Sequence, residues 1–124
     1  MTDERLKIIY KEGGATADLN ELIDLAMATE KSSVRRLSLS VVERQKMDES
    51  DLRTDFLDFC LDRMASLDEP PAVQALSMKL AFRMCQFYPE LADEFKRTIE
   101  AMEIDYYKPA LKSLRKRILN GKLK

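Results

Sequence analysis

Residues 70–89 read PPAVQALSMKLAFRMCQFYP, the most apolar stretch of the chain, with prolines at both ends. Wound at about 100° per residue, Val73, Leu76, Ser77, Leu80, Ala81, Met84, Cys85 and Phe87 cover well over half of the circumference. Only Ala75, Lys79, Phe82, Arg83 and Gln86 share the remaining arc. A helix apolar over that much of its surface must be walled on two or three sides. Its place is the middle of a domain.

Outward from that helix, the bulk properties fit one domain spanning 1–124. A chain of 124 residues buries roughly two thirds of its unfolded surface without disulfide help. Three glycines and four prolines are too few for an all-β fold, which needs a turn every 8–12 residues or so. The net charge is −1, so any charge signal lies in the arrangement. The N-terminal MTDERLK has no apolar core of a signal peptide, and no run reaches the roughly 18 apolar residues of a membrane span. A cytoplasmic address and no membrane contact are the expectation.

The helices follow in order. Leu6, Ile9 and Tyr10 mark a short amphipathic helix stopped by Gly13-Gly14. Thr16 reads as the N-cap of a second helix, through about Ala28, with Leu19, Leu22, Ile23, Ala26 and Met27 as its stripe. A third runs from Ser33 to about Lys46. Asp48, with Asp51 three residues on, reads as the cap of a helix extending to about Ser66. After the central helix, Pro89 and Pro109 each open one more. The class is all-α, with seven helices.

Three of these segments align. SSVRRLSLSV from Ser32, PAVQALSMKL from Pro71 and PALKSLRKRI from Pro109 superpose Val34, Val73 and Leu111, then Leu37, Leu76 and Leu114, then Val41, Leu80 and Ile118. The spacings are 39 and 38 residues, and the helices between match at 39, Leu52 with Leu91, Phe56 with Phe95 and Cys60 with Ile99. Two helices per period of about 40 signal a helical solenoid, in which each hairpin borrows its neighbour's face as a wall.

Val34-Arg35 with Ser38 four on, and Val73-Gln74 with Ser77, resemble the second helix of HEAT-type repeats. Leu111-Lys112 follows more loosely, because Arg115 stands where the small residue belongs. The resemblance covers most of 17–120 and implies a right-handed α-solenoid of about three HEAT-like hairpins, with the first helix as a cap. FYPEL, from Phe87, is similar to a stretch in short bacterial HEAT-like proteins, some of which carry a transferred adenylosuccinate lyase label. Such an enzyme is several times longer and relies on histidine and a flexible serine loop. This chain has no histidine.

The lack of histidine also leaves Cys/His metal ligation and histidine acid–base catalysis without members. Cys60 and Cys85 read as two small buried hydrophobes, too far out of register along their helices for a disulfide. Asp55, Asp58 and Asp62 share a helix face, but with no glycine-turned loop to complete a hard-cation site they read as a solvated outer surface. Leu39, Met78 and Phe82 read as packing between repeats rather than as a groove for a partner helix. No cofactor, metal or catalytic residue is expected.

Charge is sorted by helix. With A the first and B the second helix of each pair, segments 17–30, 48–69 and 89–105 hold 18 acidic and 4 basic residues. Segments 33–46, 71–88 and 107–124 hold 13 basic residues and one acidic, Glu43. The polar arc of the B helices places Arg36, Arg44, Lys79, Arg83 and Arg117 on one ridge with Phe82 at its edge. Lys112, Lys116, Lys122 and Lys124 add charge at the C-terminal end. The expected function is a non-enzymatic interaction or scaffold module that holds a protein with an acidic surface on this ridge. The alternative is nucleic-acid binding by the same residues, although stacking aromatics are scarce there. A small enzyme or enzyme subunit comes last.

Overall fold

A computed structural model describes residues 1–14 and 17–122. Among them lie seven α-helices, α1 (Asp3–Lys11), α2 (Leu19–Ala28), α3 (Ser32–Arg44), α4 (Thr54–Ala65), α5 (Pro71–Cys85), α6 (Pro89–Ala101) and α7 (Pro109–Leu119), with no strand. Single 3-10 turns occupy Glu49–Asp51 and Ile104–Tyr106. Prolines fill the first turn of α5, α6 and α7, where a missing N–H removes nothing the helix uses.

The helices form two layers. α3 packs on both α1 and α5, and α5 packs on α7, so α1, α3, α5 and α7 make the B layer. α2 and α4 touch in the A layer, whereas α4 and α6 diverge. α3 also packs against α2 and, most extensively, α5 against α4, while α6 packs on α5. α1 therefore occupies the B-layer place ahead of the first full hairpin. The chain is an α-solenoid of three hairpins and a capping helix.

The period seen in the sequence is a period of burial. Val34, Val73 and Leu111 are all buried, as are Val41, Leu80 and Ile118 one face-repeat later, and Phe56 and Cys60 match Phe95 and Ile99. The five residues of the predicted polar arc are half-buried or exposed, as is Leu76 from the expected apolar side, while Val73, Ser77, Met78, Leu80, Ala81, Met84 and Cys85 are buried. Both thiols are free, as the register argument required. Met78 and Leu39 are fully buried, so they belong to the core.

Three local expectations are corrected. The cap of α2 is Asp18, whose carboxylate accepts the Glu21 N–H at 2.9 Å; Thr16 lies outside the described residues. The helix expected from Asp48 is interrupted. Asp51 does accept the Asp48 N–H at 2.9 Å, but this closes only the 3-10 turn. Leu52 and Arg53 then turn extended, and α4 begins at Thr54. The extended backbone at Arg53 aims its side chain back at α2, which a continuous helix would not allow. Arg115, turned inward on the wheel, is expected to reach water at the end of the stack or to pair with an acidic residue of α6; it donates instead to main-chain carbonyls of that helix.

Candidate interaction surface

Two of the residues expected on the basic ridge are held by the fold itself. A helix C-terminus leaves carbonyls without N–H partners and carries partial negative charge, so a guanidinium placed there satisfies both needs. Arg44 donates from Nη1 to the Tyr10 carbonyl at 2.9 Å and lies 4.3 Å over the Tyr10 ring. Arg83 donates from Nη2 to Glu43 O at 2.8 Å and from Nη1 to Gln45 O at 3.2 Å. Each closes the C-terminus of the preceding B helix.

A second set closes each A helix from the B helix that follows. Arg35 donates to Ala26 O at 2.9 Å and Thr29 O at 2.6 Å. Gln74, 39 residues on, donates to Ser66 O at 2.8 Å. In the third hairpin the task moves one turn along, and Arg115 donates to Ile99 O at 2.7 Å and Glu100 O at 3.3 Å. This is why a long side chain replaces the small residue there: Lys112 does not take the cap position's bond, and Arg115 does.

The repeats are joined by the same chemistry. Buried Glu69, from the turn before α5, accepts Arg35 Nη1 at 2.8 Å and has Arg63 Nη1 at 3.7 Å. At the next junction the corresponding residue, 38 positions later, is Tyr107, whose hydroxyl donates to Ala65 O at 2.7 Å. Charged Arg35 and Glu69 are thus replaced by neutral Gln74 and Tyr107. The sequence pattern holds a trace of this, since both substitutions fall on the repeat period.

What remains of the ridge is an open basic surface. Arg36 and Arg117 are exposed and Lys79 is half-buried, and among the described residues none of their side chains makes an ion pair or a hydrogen bond. Lys79 and Arg117 are equivalent positions at the 38-residue spacing, and Arg36 stands one turn before Ser40, the matching position of α3. Lys116 is exposed beside them, and Lys124 lies outside the described residues. Phe82 is half-buried and tilts against Phe95 of α6, with ring centroids 6.0 Å apart. Glu43 is the one acidic residue of the B segments.

The A layer carries the opposite sign. Arg53 bonds Asp55, and the guanidinium beside it holds the Asp55 carboxyl below the usual carboxylate range. Asp62 is paired with Arg63. No group of three acids or thiols that could hold a metal ion occurs among the described residues. Burial raises the Cys60 thiol and pushes Cys85 up to about 11, the latter helped by the nearby Glu94 carboxylate. Two inert, protonated thiols result.

A profile of the HEAT repeat domain matches residues 14–122. The chain belongs to the HEAT repeat family. Family membership accounts for both the period and the paired layers, and HEAT repeats generally mediate protein–protein interaction. No curated protein and no solved structure matches this HEAT protein. Among its described residues no helix is long and apolar enough to cross a membrane.

Proposed function

We propose that this HEAT protein is a non-enzymatic interaction module that holds an acidic protein partner on its B-layer surface, through Arg36, Lys79 and Arg117. One observation carries the reading: the six arginines of the B segments divide into two groups. Arg35, Arg44, Arg83 and Arg115 are bound to main-chain carbonyls, and Arg36 and Arg117, with Lys79, are left with no internal acid to neutralise them. Uncompensated charge of one sign on one face raises the encounter rate with the opposite sign and selects against like-charged partners. Arg44, Phe82 and Arg83 shape that face and set the spacing of its helices, while Arg36, Lys79 and Arg117 make the contact.

Affinity capture from lysate, with and without nuclease, tests this. The expected result is an acidic protein retained after nuclease treatment and lost from the Arg36→Glu/Lys79→Glu/Arg117→Glu variant, whose melting curve stays that of the parent. Retention that disappears with nuclease, together with retardation of a labelled duplex that fades steeply with salt, assigns the surface to nucleic acid instead. Unchanged capture by the triple variant rejects the surface.

A further inference from the structure

The two junctions of the A layer are built alike with one piece changed. At the first, Arg53 Nη2 lies 2.8 Å from Asp24 of α2 and 2.8 Å from Asp55 of α4, with Nη1 3.3 Å from Asn20 Oδ1. The guanidinium closes the seam between the two helices. Burial superposes α2 on α4 at 34 residues, Leu22, Ile23 and Ala26 on Phe56, Leu57 and Cys60, which sets Asp24 on Asp58. α4 superposes on α6 at 39, which sets Asp55 on Glu94 and Arg53 on Ala92. The second junction therefore keeps both carboxylates and lacks the arginine.

At that junction the helices part. A cleft of about 150 Å³ lies between α4 and α6, with Leu57, Leu61, Leu91 and Phe95 as apolar walls, Cys85 also lining it, and Asp58 and Glu94 contributing the carboxylates. Neither carboxylate makes an ion pair among the described residues, unlike Asp24 and Asp55 in the first junction. Apolar walls suit the methylene stem of a long cationic side chain, and carboxylates in the same lining suit its planar head.

We propose that this cleft is a seat for an arginine side chain presented by a partner protein, which there takes the place that Arg53 fills in the first junction. Charge complementarity selects the occupant, and the first junction supplies its template. The seat is on the opposite layer from the basic surface and independent of it. A guanidinium is favoured over an ammonium because two carboxylates on adjacent helices match a planar fork of donors.

The test titrates isotope-labelled protein with the blocked tripeptide acetyl-Leu-Arg-Leu-amide and with its counterpart carrying citrulline, the neutral isostere, in place of arginine. The arginine peptide is expected to shift the amide resonances of Leu57, Leu61, Leu91 and Phe95. The citrulline peptide should bind at least tenfold more weakly. Glu94→Gln and Asp58→Asn should each lower affinity for the arginine peptide at least tenfold. The proposal is overturned by equal responses to the two peptides, by shifts confined to the B layer, by undiminished affinity in Glu94→Gln and Asp58→Asn, or by concentration-dependent self-association through the cleft in place of peptide binding. Melting curves of both variants confirm that each is folded, and the peptide comparison stands on the unmodified protein alone.

Discussion

Arg83 does for α3 what Arg44, 39 residues earlier, does for α1: each guanidinium reaches across to the carbonyls at the end of the neighbouring B helix, at 2.8 and 2.9 Å respectively. The B helices run parallel, so their C-terminal partial charges lie side by side and would repel. A cation between successive ends offsets that repulsion and supplies the donors the carbonyls need. Arg83 is half-buried and Arg44 exposed, yet both guanidiniums are already engaged by the fold.

Replacing Arg83 with alanine is therefore expected to lower stability by about 1–2 kcal/mol, the range for a charged hydrogen bond at a partly buried helix end. Arg36→Ala, on the open face, should stay within about 0.5 kcal/mol of the parent. Urea denaturation of the two variants side by side checks the contrast. Equal effects would mean that the carbonyl contacts of Arg83 contribute nothing.

Glu69 is buried and Arg35 half-buried, and removing Glu69 takes the counter-ion from Arg35, which keeps only the carbonyls of Ala26 and Thr29. Glu69→Ala should cost about 2–3 kcal/mol. Copying the next junction, with Arg35→Gln and Glu69→Tyr together, should recover a large part of that loss, because Gln74 and Tyr107 close the equivalent seam without charge. A double-mutant cycle in urea measures the coupling.

Gly14 and Gly13 form a matched pair of probes. Both adopt positive φ, 76° and 90°, but a Cβ at Gly14 would collide with the Val41 side chain, whereas at Gly13 it would meet open space. Both substitutions by alanine carry backbone strain of about 1 kcal/mol. Only Gly14→Ala adds overpacking, of about 1–3 kcal/mol more. Thermal melts should separate the two by several degrees.

Alkaline pH should destabilise the fold through its thiols. Burial raises both above the ordinary value, Cys85 to about 11, so the folded state retains protons that the unfolded chain gives up near pH 8.5. The contribution is fully present below about pH 8.5 and is lost as pH rises through the folded values, at up to about 1.4 kcal/mol per pH unit for each thiol. Between pH 8.5 and 10 the urea midpoint of the parent should fall more than that of the Cys60→Ala/Cys85→Ala variant.

The core was legible in the sequence because it rests on period alone. Val34, Val73 and Leu111 repeat at 39 and 38 residues, and apolar positions that repeat with the hairpin must face the same wall. The polar seams were less legible. An arginine on a helical wheel has one direction, but its reach of several ångströms lets it end on a neighbour's carbonyl or in water, and only the register between helices decides which. Arg44 and Arg83 did carry a signal in their shared period, yet the same period fits a row of surface charges equally well. The interruption before α4 was hidden for a different reason. Asp48 and Asp51 make a real capping pair, and nothing local to them says that the turn they close stops after three residues.

One consequence of the unlike seams concerns the order of the hairpins. Glu69 takes its nearer counter-ion, at 2.8 Å, from an arginine in the hairpin before it, and the second hairpin offers Gln74 at that position. A chain in which the second hairpin was tandemly duplicated would set Gln74 against a sequestered carboxylate left with Arg63 alone, 3.7 Å away, and that joint would be weakened. Growth of the array by copying its middle module is thus disfavoured by two side chains, and the succession of the three modules is written into their edges.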